Sequence, residues 1–494
     1  RSADAARQHL QATVEGGSPS WRWRLAGDGL RDDGFALDPQ GWSRQGDQIR
    51  RDKLVGRLGW VGQGDTHAFV QLSHYDERDV QRFELFVPPN RVPQLKTENI
   101  QRQRLSAGWQ WDLGQGRGLS LKALDEDYDS QSNTYSQSVQ TIERVAAVES
   151  RQFSAQFDLP LFERQLWQLG ADVRLESLSQ TNNGIAELGD GTASRRSDEL
   201  YLQNDIALTD SLELVVGARW QQDQDFGSYL APKLSLRHEA ALAGPWKVIN
   251  RFSAGRGYRV PNLKERFFLF DHSAYGYVVR GNPDLQPERS SSLQLGSTFV
   301  RGNGLRLELT GFYNRISDLI QIDETPTGVF NGVQSFQYDN IARARTSGIE
   351  AGAQWQATPA LLLGAGYTYT KAVDLDTGAE LTRRPAHLSR LSADWQLNAD
   401  TALTTRLRHQ SSELINTESG ERSPDWALLD LAVTRKLTAN TQLLFSIRNV
   451  FDEQRDFSDS NDFGPRSGRL ITLALRMQFG NARSGQRNVG AGVN

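Results

Sequence analysis

The chain has 494 residues, with no Cys, one Met, 44 Gly, 12 Trp, 12 Tyr and 21 Phe, 38% hydrophobic residues and a formal net charge of −4. The lack of Cys excludes disulfides, thiol nucleophiles and thiolate metal sites, and the near-neutral balance leaves no nucleic-acid footprint. No stretch approaches the eighteen consecutive apolar residues of a membrane helix; this excludes a helical membrane protein but not a barrel, whose alternating strands look soluble on average.

The first residues, RSADAARQH, are polar and hold no secretory leader, which predicts a processed or trimmed chain. From there the same signal runs almost to the end. Ala68, Val70 and Leu72 alternate with His67, Phe69, Gln71 and Ser73, and Leu212, Leu214, Val216, Ala218 and Trp220 share one face of LELVVGARWQ. Leu305, Leu307, Leu309, Gly311 and Tyr313 oppose Arg306, Glu308, Thr310 and Phe312, and the last such run places Ile471, Leu473, Leu475, Met477 and Phe479 opposite Thr472, Ala474, Arg476 and Gln478. A period of two is strand, not helix. Strands are predicted to start near 8, 20, 53, 66, 100, 118, 145, 165, 199, 212, 229, 246, 290, 305, 345, 361, 387, 404, 426, 441 and 470.

The connections also alternate. Short ones are GGSPS (16–20), GQGD (62–65), GQGRG (114–118), TDS (209–211), RGNG (301–304), TPA (358–360) and LTAN (437–440). Long polar ones lie at 30–50, 76–98, 125–142, 178–197, 262–289, 321–344, 372–386, 412–424 and 452–468. Short turns at one end and long loops at the other predict an all-β fold, a transmembrane antiparallel β-barrel over residues 1–479 with a polar tail at 480–494. A multidomain all-β protein is the rival, but no linker of distinct composition interrupts the strands and no fixed period marks a solenoid. In lipid an unpaired edge is untenable and single-chain barrels normally have even strand counts, so the 21 strands imply a twenty-second at the N-terminal side. Trp60, Trp109, Trp111 and Trp246 lie beside short turns, where an interfacial girdle belongs.

Tyr258-Arg259-Val260-Pro261 ends one predicted strand, and Asn282-Pro283-Asp284-Leu285, followed by QPE, precedes the next. With GFYNRISDLIQI (311–322), NIARARTSGIEAG (340–352) and FSIRNVFDEQRDF (445–457), these stretches resemble, in order, the stations of the TonB-dependent outer-membrane receptors. Val260 stands where that family usually has Ala. The resemblance covers residues about 8–479 and implies a monomeric 22-stranded barrel in the Gram-negative outer membrane, among lipid and lipopolysaccharide, taking up a small metal chelate. It also implies an N-terminal plug and a segment that engages the TonB energy-transducing complex; neither is present in this sequence, so gating would depend on residues outside it.

The resemblance turns the long loops outward. Phe267, Phe268, Phe270, His272, Tyr275 and Tyr277 make 262–281 an aromatic loop, suited to stacking on a planar or apolar ligand. His272 lies between the two boxes, where haem receptors of the family carry an axial-ligand His, so haem is one possible substrate beside a ferric siderophore or a corrinoid. Arg259 is either a ligand contact or the partner of an acidic group in the lumen; Pro261 fixes φ and denies an amide where the strand leaves the sheet. Asp125, Glu126, Asp127 and Asp129 cluster hard oxygen donors, and the resemblance to corrinoid receptors makes loop 125–129 a calcium candidate, although the spacing is not that of an EF-hand. Arg22, Arg24, Arg306, Arg406 and Arg476 fall on the polar face, where they either draw an anionic chelate inward or pair within the wall. Copper is disfavoured with Met477 as the only sulfur, and none of the seven His falls in a nucleophile motif, so no enzymatic activity is expected. A passive porin remains a different class, separable by conductance.

Overall fold

The computed structural model describes residues 6–480 apart from 39, 88, 189, 274, 275, 303, 324, 331, 332, 342 and 460. Tyr275 and all of the predicted tail beyond Gly480 therefore lie outside the described residues.

Twenty-one strands pair antiparallel with their sequence neighbours in one continuous sheet. The first eight are β1 (Arg7–Gly17), β2 (Trp21–Asp32), β3 (Gln48–Val61), β4 (His67–Val87), β5 (Asn90–Gly114), β6 (Arg117–Ser136), β7 (Val139–Pro160) and β8 (Gln165–Asn182). There follow β9 (Thr192–Ala207), β10 (Leu212–Asp223), β11 (Gly227–Ala241), β12 (Trp246–Arg259), β13 (Glu288–Arg301) and β14 (Leu305–Ser317). The last are β15 (Ala344–Thr358), β16 (Leu361–Asp374), β17 (His387–Asn398), β18 (Thr401–Gln410), β19 (Trp426–Thr438), β20 (Thr441–Arg448) and β21 (Leu470–Met477). The sheet curls until its two ends approach. Arg466, before β21, donates to the Gln45 carbonyl, before β3, at 3.0 Å, and the Phe35 and Phe457 rings meet edge-on at 6.0 Å. Among the described residues β1 pairs only with β2 and β21 only with β20.

The cross-strand register carries one face unbroken around the wall. Leu309 stands opposite Ser297 and Ala351, Leu307 opposite Phe299 and Ala353, and Leu473 opposite Phe445. These side chains are not tucked between two sheets: Leu295 is 62% exposed, Leu309 53% and Leu473 70%. So large an apolar face, open on the outside of the sheet, is what hydrocarbon covers. Of the four tryptophans expected in the girdle, Trp109 and Trp111 are exposed near a short-turn end and stack at 5.6 Å, whereas Trp60 and Trp246 are half-buried; Trp21, Trp23, Trp355 and Trp395 are also exposed near short-turn ends. Tyr313 and Tyr369 lie in the halves of their strands toward the long loops, and Tyr367 at mid-strand. In the β13–β14 turn Gly304 has φ +77°, and a Cβ there would lie 2.7 Å from that of Gln356, so the tight hairpin needs glycine.

The structure corrects the predicted loop lengths. β4 and β5 run through most of 76–98, and β6 and β7 through most of 125–142, in strands of 20 to 25 residues. The calcium candidate 125–129 is thus strand, not loop. Alternation sends Asp125, Asp127 and Asp129 outward with Leu121 and Ala123, and Glu126 toward the lumen, where Arg104 binds it. Among the described residues no three His, Asp or Glu side chains gather closely enough to hold a metal ion.

Candidate ligand site at the barrel mouth

The segment between β12 and β13 folds back into the mouth. Asn262 caps a one-turn helix, α1 (Leu263–Phe267): its Oδ1 accepts from the Glu265 amide at 2.8 Å, and Glu265 Oε2 accepts from the Asn262 amide at 2.8 Å. Arg259 donates to both oxygens of Glu265 at 2.9 Å and to both of Glu288 at 2.7 Å. Glu288 also accepts the Ile320 amide at 2.8 Å, so Arg259 ties the start of the segment to its end. Two carboxylates occupy its guanidinium, which makes the Tyr-Arg-Val-Pro box an architectural joint.

Beyond the helix, Leu269–His272 and Tyr277–Arg280 form a small hairpin. Its second strand pairs in parallel with Val333–Ile341, from the β14–β15 connection, so two loops share one small sheet. Side chains of the inner wall pin this sheet down. Gln180 of β8 donates to the Leu269 carbonyl at 3.0 Å and accepts its amide at 2.9 Å. Lys96 of β5 donates to the Asp271 carbonyl at 2.6 Å, and Arg144 of β7 donates to the Asp271 carboxylate at 2.9 Å and to Glu187 at 2.9 and 3.1 Å. Arg195 of β9 donates to the Pro261 carbonyl at 2.6 Å. Leu178, Leu188 and Leu263 form a buried apolar contact beneath, with Val148, Ala193, Phe267 and Phe268 packed against it.

On this platform the aromatic side chains assemble. Phe268 and Phe270 lie 4.8 Å apart, Phe270 and Tyr338 6.0 Å, His272 and Tyr277 5.0 Å, and Tyr277 and Phe336 6.1 Å. Four of the six residues proposed from the sequence (Phe268, Phe270, His272 and Tyr277) are thereby brought together, while Arg259 stands at the segment's root. Phe336 and Tyr338 join them from a loop some 60 residues further on. The signal that would have found these two is their alternation in SFQYDN. Lys264 places its ammonium 4.6 Å from the Tyr128 ring centroid and 5.1 Å from that of Phe268.

Burial, with Lys96 nearby, holds the His272 imidazole below its usual pKa despite Asp271, so it is neutral at neutral pH. Burial alone would raise Asp271, but Lys96, Ser273 and Arg144 outweigh it and hold the carboxyl below the ordinary range. The cluster therefore offers flat, half-buried aromatic surface and one neutral imidazole.

Below lies the polar bore. A hollow of about 1730 Å³ runs along the inner face of β1–β4, lined by Gln11, Glu15, Arg22, Arg24, Lys53 and Arg57. The lumenal arginines divide: Arg306 pairs with Glu308 and Arg406 with Asp394, whereas Arg22, Arg24 and Arg476 have no side-chain partner among the described residues.

Residues 22–450 match the family described as TonB dependent receptor-like, beta-barrel. An iron-regulated outer membrane virulence protein of Vibrio cholerae is 26% identical over 369 residues, 71% of this chain and 55% of that protein. The ferrienterobactin receptor of Escherichia coli is 24% identical over 56% of this chain and 40% of its own length, and heme/hemopexin utilization protein C of Haemophilus influenzae is 32% identical over 42% and 33%. The chain thus spans about half, or less, of the length of these relatives. In structure it resembles the ferric enterobactin receptor of Pseudomonas aeruginosa, with a TM-score of 0.76 and 17% identity over 97% of this chain and 78% of that one. With its long strand array, lipid-facing outer surface and polar bore, the chain belongs to the TonB-dependent receptors of the outer membrane, in which residues 22–450 are the β-barrel.

Proposed function

We propose that this barrel is the pore and outer mouth of an active uptake receptor for a ferric siderophore, driven through a TonB-engaging segment and gated by a plug. The observation that carries this reading is the aromatic platform of Phe268, Phe270, Tyr277, Phe336 and Tyr338 above a bore with unpaired Arg22 and Arg24. Aromatic faces stack on a flat chelate while the cations favour its negative charge. Relatives named for iron regulation and for ferric enterobactin agree with it. The neutral, half-buried His272 supports haem as the second substrate reading, in line with the relative named for heme utilization.

Tryptophan-fluorescence quenching by ferric enterobactin and by haem decides between them. The siderophore reading expects saturable quenching by the ferric chelate, weakened about tenfold in the double variant Phe270→Ala, Tyr338→Ala through lost stacking. Tight haem binding with a Soret shift that His272→Ala abolishes, and no response to the ferric chelate, would overturn it.

A further inference from the structure

Cations tie the inward-folded segment together and to the wall, and among the described residues all but one have an acceptor. Arg259 binds Glu265 and Glu288, Arg266 binds Asp225, and Arg280 donates to Ser335 Oγ at 3.2 Å. From the wall, Lys96 reaches the Asp271 carbonyl, Arg144 reaches Asp271 and Glu187, and Arg195 reaches the Pro261 carbonyl and Glu176. Lys264 is the exception. Its ammonium has no hydrogen bond or ion pair among the described residues and meets only the faces of Tyr128 and Phe268.

Nothing in the packing needs Lys264 as a fastening. The helix α1 is already held by its Asn262–Glu265 cap, by Leu263 in the buried contact, by Arg259 at its root and by Arg266 on Asp225. A half-buried ammonium without an acceptor is costly, and ring faces offset only part of that cost. Burial and the Arg102 guanidinium hold its pKa below the usual lysine value; Glu98 acts the other way but forms no ion pair with it. The ammonium is not sealed from solvent. Arg102 of β5 also lies over the Tyr128 ring, at 5.4 Å, and is only 3.9 Å from Glu126, which Arg104 holds at 2.5 Å. Two cations thus stand against one ring at the wall end of the site. From Lys264 the aromatic row continues through Phe268 and Phe270 to Tyr338.

We propose that Lys264 is the residue by which this site selects a negatively charged chelate: its ammonium donates to an anionic oxygen of a chelate lying on Phe268 and Phe270, with Arg102 as the second cation. The inference rests on the siderophore reading above and adds to it the sign of the ligand's charge and the atom that reads it. An anion supplies the acceptor that the ammonium lacks, and a hydrogen bond between charged partners in a half-buried place is stronger than one at the open surface. A neutral chelate stacks on the same rings but leaves the ammonium unpaired, so the site discriminates by charge as well as by shape.

Fluorescence quenching of the full-length receptor by ferric enterobactin, a tris-catecholate of net negative charge, and by a neutral ferric tris-hydroxamate tests this. Lys264→Met keeps the apolar stem between the rings and removes the charge; it is expected to weaken ferric enterobactin binding about twentyfold and to flatten its dependence on salt. Lys264→Arg is expected to stay within about threefold of the native protein. The neutral chelate should bind weakly and alike to all three proteins. Hydrogen-exchange protection of 262–272 should be the same in the Met variant as in the native protein, which separates ligand contact from a fastening role. Should the Met variant not fold, Lys264→Gln takes its place with the same expectations. Unchanged ferric enterobactin affinity in the Met variant, an equal loss for both chelates, or a loss accompanied by lost protection of 262–272 would each overturn the inference and leave the siderophore reading standing. Native protein that binds no ferric chelate would overturn that reading and the inference with it.

Discussion

Arg144 shows how a single side chain holds the mouth in shape. Its side chain is 9% exposed and spans Glu187 on the wall side and Asp271, itself 8% exposed, in the small hairpin. Replacing it by Ala leaves two sequestered carboxylates without their cation, a change that costs about 3–5 kcal/mol in comparable buried pairs. The expected outcome is a local one: hydrogen-exchange protection of 269–280 falls by that amount while β4–β8 stay protected. Uniform loss around the wall, or no loss, would contradict the role. His272 adds a pH dependence of known sign. Its folded pKa lies below the ordinary value, so the undocked segment takes up the proton first. Docking is therefore complete above about pH 6.5 and weakens as the pH falls through the folded value. The facing groups are Lys96, Arg144 and Asp271, and the lowered carboxyl of Asp271 titrates only in a separate, more acid window. Protection of 269–280, corrected for intrinsic exchange, should decline from pH 7 to 5 in the native protein and stay flatter in His272→Gln.

At the scale of strands and turns, what the sequence discloses depends on which solvent each face meets. Leu212, Trp246, Leu305, Leu361, His387, Trp426, Thr441 and Leu470 start strands where the alternation begins, because lipid on one side and water on the other enforce a period of two. The upper halves of β4–β7 were illegible for the same reason. Above the lipid, the outward residues of β4 are His74, Asp76 and Arg78 and the lumenal ones Tyr75, Glu77 and Asp79, so both faces are polar and the period vanishes. In the site, Phe268, Phe270, His272 and Tyr277 were visible as an aromatic-rich loop. Phe336 and Tyr338 show only as an alternation in SFQYDN, and their place in the site follows from a long-range parallel pairing; nothing in the sequence marks Lys96, Arg144 or Gln180 as anchors. Three substitutions test the account of strands and turns. Leu309→Arg, on the outward face, should destabilise the folded barrel by about 2–4 kcal/mol, while lumenal Thr310→Arg should cost clearly less, read from urea unfolding in lipid vesicles. Gly304→Val should lower the same midpoint, because its left-handed backbone and the neighbouring Gln356 leave no room for a branched side chain.

Over the whole molecule, the wall is uneven. Strands β4–β8 rise far above the lipid and carry the anchors for the inward-folded segment, whereas β16–β21 span 8 to 14 residues. The tall side is thus a scaffold that presents the aromatic platform over the bore. That role depends on one assignment of solvents, hydrocarbon outside and water within. The chain contains no Cys, so single spin-labelled cysteines can be placed at each residue of Leu305–Ser317 without any prior substitution. In reconstituted bilayers, collision with oxygen should peak at 307, 309, 311 and 313, and collision with a water-soluble nickel chelate at 306, 308, 310 and 312. Absence of this alternation, or its inversion, would contradict the account.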